Sequence, residues 1–344
     1  VDSQSVGTKT VSAFGLITNR WACGFFVVTA PLPVGSVTVY DAAGGFVGAY
    51  AAIQEGVDAC PTGGTVTVAA GTYTEMVYIN KKIALVGVVT PTIDPPVDGN
   101  AIGFDGTSTN GAMVSGFRIT GATGNTGNNG NGIYCINGAK PIITNNTISG
   151  NRNSGIYCNS ASPAITGNTI SGSNYGIFCS SASPSITGNT ISGNSSFGIY
   201  CSSSSPAITN NIISGNNNGI HCSGYSPAIT NNTISGNSSF GIYCDGSSPA
   251  ITNNIIGSHT SYGIYEANSN SEPSVNHNCF YNNAEDYYDE GIVIRTVSWL
   301  NTVYTGNISA QPQFIGGGYH LGTASPCIDT GSNTAQNIPL TDKD

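Results

Sequence analysis

A short pattern of apolar and polar residues recurs along the middle of the chain. One copy reads GIYCNSASPAITGNTISG from Gly155, and six similar copies follow or precede it every 21 to 23 residues, from Gly132 to Gly263. Each copy holds three β-like pieces (GIYC, PAIT and NTIS) separated by Gly, Ser, Pro and Asn, which favour turns. Pieces of three or four residues cannot form hairpins within one copy, but each can pair with its equivalent in the next copy, about 4.8 Å away. The pattern predicts an all-β fold, a right-handed parallel β-helix with coils of about 22 residues.

Alternation along a strand assigns side chains to the two faces of each piece. Ile156, Cys158, Ile165 and Ile170 are expected to point into the coil, and Tyr157 outwards. The inward cysteines recur in every copy and predict an interior stack of reduced thiols: Cys135, Cys158, Cys179, Cys201, Cys222 and Cys244. A bend asparagine also recurs and is expected to adopt left-handed backbone angles and to form an amide ladder with the next coil: Asn146, Asn168, Asn189, Asn211, Asn232 and Asn254.

The repeat lies between two less regular regions. Residues 1–50 are apolar and strand-like and predict a β-rich cap or docking segment, and residues 51–333 are expected to form the β-helix, with a tail at 334–344. A solenoid end exposes an open core, so a short helix near Ala51 to Asp58 is predicted to plug it. The region from 60 to 330 would hold eleven to thirteen coils at this period. Two disulfides are expected to tie down the terminal segments, Cys23–Cys60 and Cys279–Cys327.

Composition excludes several classes of protein. The chain has 344 residues, 46 of them Gly, and only 9 basic residues against 18 acidic ones. Nucleic-acid binding requires Lys and Arg to displace phosphate counterions, so that partner is not expected. No window of eighteen consecutive apolar residues predicts a membrane-spanning helix. The chain opens at Val1 rather than Met, which suits a processed mature chain that is secreted or held at the cell surface.

Two segments outside the repeat carry a family resemblance. The block AIQEGVDACPTGGTVTVAAGTYTEMVYINKKIALVGV resembles the first coil of the pectate-lyase-like superfamily, and ISAQPQFIGGGYHLGTASPCIDTGSN is similar to the closing coil of bacterial secreted β-helix proteins. The resemblance implies this fold and export. It leaves activity open, because the superfamily includes lyases, hydrolases, epimerases, adhesins and structural proteins.

Few residues could perform catalysis or hold a metal. Residues 132–262 contain three charged side chains, Lys140, Arg152 and Asp245. With Arg118 one coil earlier, Lys140 and Arg152 are the candidates for a polysaccharide lyase, the alternative to a non-catalytic module. No cofactor is expected, although one acidic cluster could bind Ca²⁺ through its carboxylates. This cluster consists of Glu285, Asp286, Asp289 and Glu290.

An outward aromatic row is the strongest functional candidate. Stacking the copies aligns Tyr134, Tyr157, Phe178, Tyr200, His221, Tyr243 and Tyr265, beside a second, interrupted row of Tyr175, Phe197, Phe240 and Tyr262. Such rows suit sugar rings or another protein surface, although cross-strand stabilisation explains them equally well. A third face carries repeated Thr-x-Ser pairs, which suggests ice binding as a minor alternative. The sequence thus predicts an exported adhesion or structural module that contacts an extracellular polysaccharide or other copies of itself.

Overall fold

The structure is a computed structural model that describes residues 9–10, 27–28, 36–124, 129–290, 293–316, 318–328 and 331. Most of residues 1–35, Cys23 included, and all of the expected tail at 334–344 therefore lie outside the described residues. Within the described residues the fold is a parallel β-helix, as predicted. The domain limits drawn at residues 50 and 333 remain predictions.

Each turn of the β-helix contributes one strand to each of three parallel sheets. Sheet 1 contains the GIYC strands: Val77–Ile79, Ile102–Asp105, Ile133–Ile136, Ser154–Asn159, Tyr175–Ser180, Phe197–Ser202, Asn218–Ser223, Ile242–Asp245, Tyr262–Glu266 and Glu285–Asp289. Sheet 2 contains the PAIT strands: Thr65–Val68, Ala84–Gly87, Met113–Ser115, Ile142–Thr144, Ala164–Thr166, Ser185–Thr187, Ala207–Thr209, Ala228–Thr230, Ala250–Thr252 and Ser274–Asn276. Sheet 3 contains the NTIS strands: Thr72–Tyr73, Thr92–Ile93, Arg118–Ile119, Thr147–Ser149, Thr169–Ser171, Thr190–Ser192, Ile212–Ser214, Thr233–Ser235, Ile255–Gly257, Cys279–Tyr281 and Ile308–Ser309.

The turns stack in register, so equivalent residues form rows along the molecule. Cys158 pairs with Cys135 and Cys179, and Ile165 pairs with Ile143 and Ile186. The predicted faces are confirmed in these strands, because the inward isoleucines and cysteines are fully buried. β-Branched residues suit such pleated, tightly packed rows. The result is one continuous apolar core along the solenoid axis.

The asparagine ladder is confirmed, but the predicted backbone angle belongs to the preceding residue. The side-chain amide of Asn168 donates to the side-chain oxygen of Asn189 at 3.0 Å, and that of Asn189 donates to Asn211 at 3.0 Å. These asparagines are buried, and the left-handed positions are Gly167, Gly188 and their equivalents. A second ladder, not anticipated, runs from Asn194 through Asn216 to Asn237 in the next corner.

Both described ends of the solenoid are covered. The predicted helix is present as α1 (Ile53–Ala59), whose Ile53 and Val57 are fully buried. Strands Val37–Tyr40 and Phe46–Tyr50 extend sheet 2 in antiparallel fashion beside α1. The other end has a second helix, α2 (Val297–Val303), which the sequence did not reveal and which follows an antiparallel strand, Val293–Arg295. Neither described α-helix has the length that crossing a bilayer would need.

The remaining regular elements are short. Lys9–Thr10 pairs with Val27–Val28, Phe314–Ile315 pairs with His320–Leu321, and a single 3₁₀ turn covers Thr107–Thr109. Sheets 1 and 2 each have ten parallel strands among the described residues. The expectation of eleven to thirteen coils was therefore too high for these two sheets. Coils outside the repeat are longer, with equivalent asparagines 31 residues apart near Asn131 and 29 apart near Asn307.

The cysteines of the row are free thiols in the structure, as expected. Cys279 and Cys327 approach each other with sulfurs 2.6 Å apart. The two residues are thus adjacent, which the expected bridge requires. Cys60 is buried near the carbonyl oxygen of Tyr40, and its expected partner Cys23 lies outside the described residues.

Candidate functional site: an aromatic surface on sheet 1

The predicted aromatic residues form one aligned row on the outer face of sheet 1. Strand pairing places Tyr134, Tyr157, Phe178, Tyr200, His221, Tyr243 and Tyr265 at equivalent positions in successive turns. The register adds Tyr288, which the repeat does not predict because the segment EDYYD lacks the leading GI. These eight residues and the flanking Tyr175, Phe197, Phe240 and Tyr262 are called the aromatic surface below.

The rings of the two rows interlock. Centroids of neighbouring rings in the main row lie 4.6 to 5.4 Å apart, from Tyr134 to Tyr288. Tyr175 lies 5.1 Å from Phe178 and 5.7 Å from Tyr200, so the flanking row packs against the main row. Most rings are half-buried, and Tyr157 is only 7% exposed. Because ring faces are used by neighbouring rings, the surface exposes mainly ring edges and hydroxyl groups.

His221 and Tyr200, in the middle of the aromatic surface, are uncharged near neutral pH. Burial lowers the pKa of His221 to about 4, with Asp245 partly opposing the shift. Neither ring nitrogen of His221 has a hydrogen-bond partner among the described residues. His221 therefore serves as a neutral ring packed edge-to-face between Tyr200 and Tyr243. Burial, followed by the neighbouring Tyr175, raises the pKa of Tyr200, so its hydroxyl stays protonated.

A polar row runs beside the aromatic surface. The residue after each inward cysteine also faces outwards, and this row contains Asn159, Ser180, Ser202, Ser223 and Asp245. The hydroxyls of Tyr157 and Tyr200 interact with Ser180 and Ser202. Apolar ring edges next to hydroxyl and amide groups form the combination of surfaces that polyols require from a binding site.

The aromatic row has a gap at one end. Gly103 lies in register between Tyr78 and Tyr134, and it carries no ring. A cavity of about 400 Å³ lies here, lined by Met76, Tyr78, Asp98, Asp105 and Tyr134 among others. The repeat does not predict this cavity, because Tyr78 and Gly103 precede the regular copies and their alignment depends on coils of unequal length.

The three basic residues considered for lyase chemistry are not brought together. Arg118 begins a strand of sheet 3, Lys140 lies in the corner between sheets 1 and 2, and Arg152 follows a strand of sheet 3 near the corner with sheet 1. All three are exposed. Lys140 therefore lies on a different side of the coil from Arg118 and Arg152, which belong to successive coils near sheet 3.

The four residues of the predicted acidic cluster have different surroundings. Glu285 is exposed, whereas Asp286 accepts a hydrogen bond from the side chain of Asn283 at 3.0 Å. Asp289 pairs with Arg295 at 2.9 Å, so its charge is already compensated. Glu290 is half-buried near this end. Among the described residues no three His, Cys, Asp or Glu side chains are arranged to hold a metal ion.

The hydroxyl face on sheet 3 is not a continuous flat array. Thr169 is exposed, but Ile212 and Ile255 replace threonine in its row. Towards the second end, Ser235 is only 4% exposed and its hydroxyl bonds to that of Tyr281. The Tyr281 ring also lies directly over Gly257. An ice-binding surface needs regular, exposed hydroxyls, and this face does not supply them over its full length.

The row cysteines, His221 and His259 do not share one site. The six cysteines of the row stand in single file inside the core and are fully buried, so their sulfurs do not surround a common point. His259 is buried in a corner, where Asn237 and the carbonyl oxygen of Ile234 occupy its two nitrogens. His221 lies in the aromatic surface, on the opposite face of sheet 1 from the thiols.

Solved structures with similar folds include several β-helix proteins. The enzymatically active domain of tailspike protein 2 from bacteriophage CBA120 aligns over 78% of this chain and 47% of its own, at 13% identity and a TM-score of 0.54. The mannuronan C-5 epimerase AlgE6 A-module of Azotobacter vinelandii aligns over 80% and 100%, at 14% identity and a TM-score of 0.41. The catalytic domain of a GH87 α-1,3-glucanase aligns over 75% and 62%, at 13% identity and a TM-score of 0.49.

These likenesses concern the fold alone, and the chain spans about half the length of the tailspike domain. No curated protein sequence matches this chain. At the level of families, the model described as "Periplasmic copper-binding protein (NosD)" matches residues 115–322, which is more than half of the chain. The match covers most coils of the β-helix, including the aromatic surface from Tyr134 to Tyr288. The chain therefore belongs to the NosD family of parallel β-helix proteins.

Proposed function

We propose that the chain is an exported, non-catalytic β-helix module that binds extracellular polysaccharide along the aromatic surface. The observation that carries the proposal is the unbroken row of rings over eight turns, flanked by a polar row. Each ring contact with a sugar is worth on the order of 1 kcal/mol, so useful affinity requires several rings that contact one extended chain. The solenoid provides this repetition at a spacing of about 4.8 Å.

Export is part of the same proposal, and it is supported by the family's description as periplasmic. That description also names copper, for which soft thiolate and imidazole ligands are the usual donors. In this chain the described cysteines and histidines do not fit such a centre. Six thiols are stacked in the packed core, and the two ring nitrogens of His259 already have partners. Cys279 and Cys327 contact each other at the second end, but among the described residues no third donor joins them. The proposed function therefore uses no step that involves copper.

Affinity electrophoresis in gels that contain laminarin, dextran, galactomannan, alginate or polygalacturonate tests the proposal. The wild type should be retarded by at least one of these polymers. Replacing Tyr200, Tyr243 and Tyr265 together by Ser should weaken that retardation at least about tenfold, because three contacts of about 1 kcal/mol each are lost. Tyr225→Ser is the matched control, since Tyr225 is 60% exposed and lies outside the aromatic surface.

A second triple variant, with Phe at the same three positions, retains the ring packing if the Ser variant fails to fold. It should keep part of the binding and lose the part contributed by the hydroxyls. Retardation by none of the polymers would overturn the proposal, as would equal retardation of the wild type and a folded Ser variant. Sedimentation velocity of the same proteins measures the competing role: self-association lost in the Ser variant, without polymer binding, would assign the surface to contacts between copies.

A further inference from the structure

We infer that the cavity above Gly103 is a discrete subsite for one neutral hexose unit at the end of the aromatic surface. The inference deepens the proposed function and rests on it for the class of ligand. It depends on Tyr78, Asp98, Gly103 and Asp105, which are not part of the ring row, so the two can fail separately. A missing ring in an otherwise continuous row leaves an open slot between two tyrosines and two aspartates.

The ring of Tyr78 is available to a ligand, unlike the rings further along the row. Tyr78 is 48% exposed, and no aromatic neighbour packs on it among the described residues. Its ring leans over Gly103, where an added Cβ would lie 3.3 Å from a ring carbon. Its hydroxyl donates a hydrogen bond to Asp105 Oδ2 at 3.2 Å. Because Gly103 has no side chain, the Tyr78 ring can lie across it, and the Asp105 carboxylate holds the ring in that position.

The polar lining can accept hydrogen bonds from sugar hydroxyls. Asp105 is oriented by Tyr78 and by the side-chain amide of Asn137, which donates to Oδ1 at 2.7 Å. Asp98 is exposed, and its Oδ1 accepts a hydrogen bond from Thr123 at 2.8 Å. Carboxylates held by neighbouring donors are pre-oriented acceptors, and pre-orientation reduces the entropy lost on binding.

The charge of the lining selects against acidic sugars. Asp98 and Asp105 are both acidic, and none of the described residues that line the cavity is basic. A uronate carboxylate would lie beside these two negative charges, and the described lining has no cation to offset them. The repulsion weakens the binding of acidic sugars. A neutral hexose meets a ring face and hydrogen-bond acceptors without that repulsion. The volume of about 400 Å³ lies in the range of small-molecule sites and limits the ligand to a short unit.

Short sugars test the subsite separately from the row. Laminaritriose, maltotriose, cellotriose and trigalacturonate are titrated into the protein by ligand-observed NMR and calorimetry. At least one neutral trisaccharide should bind the wild type, and trigalacturonate should bind at least about tenfold more weakly than that sugar. Gly103→Tyr completes the ring row and fills the slot, so it should abolish trisaccharide binding. Tyr225→Ser serves again as the control, and circular dichroism checks the fold of each variant.

Asp98→Asn keeps the shape of the lining and removes one negative charge. It should narrow the difference between trigalacturonate and the neutral sugar, which a merely structural role of Asp98 would not do. This variant also keeps the test decisive if Gly103→Tyr does not fold. Binding of no neutral trisaccharide, unchanged binding by a folded Gly103→Tyr protein, or equal binding of trigalacturonate to the wild type would each overturn the inference.

The outcomes separate this inference from the proposed function. The triple Ser variant of Tyr200, Tyr243 and Tyr265 leaves the cavity lining intact, so it should still bind the trisaccharide. Trisaccharide binding without retardation by polymers would refute the function proposed for the ring row and support the subsite. Polymer retardation that depends on the ring row, with no trisaccharide binding, would refute the subsite and support the function proposed for the row.

Discussion

Glu266 occupies the inward position that cysteines hold in the preceding turns. It pairs in register with Cys244 and is only 3% exposed. Burial, followed by the negative charge of Asp289, raises the pKa of Glu266 to about 8. An acid whose pKa is raised in the folded state binds its proton more tightly there than in the unfolded chain. The fold is therefore not penalised below the unfolded pKa of about 4.5, and loses stability as the pH rises from there towards 8.

Glu266→Gln should remove this dependence. We expect the variant and the wild type to unfold similarly at pH 4, and the variant to be the more stable at pH 8 by on the order of 3 kcal/mol. Urea unfolding followed by circular dichroism across this pH range measures the difference. Glu285→Gln is the control, since Glu285 is exposed near the same end. A constant difference between the Glu266 variant and the wild type at all pH values would contradict the expectation.

At the level of elements, the asparagine ladder holds each corner between sheets 2 and 3. The side-chain amide of Asn211 donates to the carbonyl oxygens of Ile186 and Thr209 and to the side-chain oxygen of Asn232, at 2.9 to 3.0 Å. Its own oxygen accepts from the backbone and side chain of Asn189. All these groups are buried, so water cannot take the place of a lost hydrogen-bond partner.

Asn211→Ala should therefore be strongly destabilising. Several buried donors and acceptors would lose their partners, and each such loss costs about 1 to 3 kcal/mol. We expect a decrease in the free energy of unfolding of roughly 3 kcal/mol or more, measured by urea denaturation. Asn217→Ala is the matched control, because Asn217 is exposed in the same coil. Similar small losses in both variants would show that the ladder contributes little.

Across the whole molecule, the thiol row is enclosed by the three sheets and by the covered ends. Its six cysteines lie in the core and are fully buried. Burial, with the nearby Glu266 carboxylate as the next cause, raises the pKa of Cys244 far above the usual range. A thiol reacts as its thiolate, so Cys244 is both inaccessible and protonated, and the other five thiols of the row are equally enclosed.

A thiol-reactive dye should consequently miss the row in the native protein. The six row cysteines should react only at the rate of unfolding, whereas all ten cysteines of the reduced chain should react in denaturant. Mass spectrometry after labelling identifies the modified residues, and the partly exposed Cys327 serves as the internal reference. Under oxidising conditions we expect a Cys279–Cys327 bridge. Rapid native labelling of Cys179 or Cys201, or a Cys158–Cys179 bridge, would contradict the enclosed row.

The repeat by itself determined the coil, because a pattern of about 22 residues with three short strands has one way to bury its isoleucines. The inward and outward faces followed from strand alternation, and the aromatic row and the asparagine ladder followed from the equal spacing of the copies. These properties depend on local periodicity, which a sequence displays directly. The first helix was also visible, since an apolar segment before the first coil must cover the open core.

Tertiary structure decided the features that depend on unequal coils or on packing between rings. Tyr78, Gly103 and Tyr134 are aligned only after a turn of 25 residues and another of 31 are wound on the same axis. The end helix α2 lies outside the repeat and is defined by the burial of Val297 and Leu300. The packing between the two aromatic rows also depends on the tertiary structure, because the distances between rings of neighbouring turns determine which ring faces remain free. The slot at Gly103 is the place where a face does remain free, since there the backbone carries no side chain and the adjacent ring can lie across it.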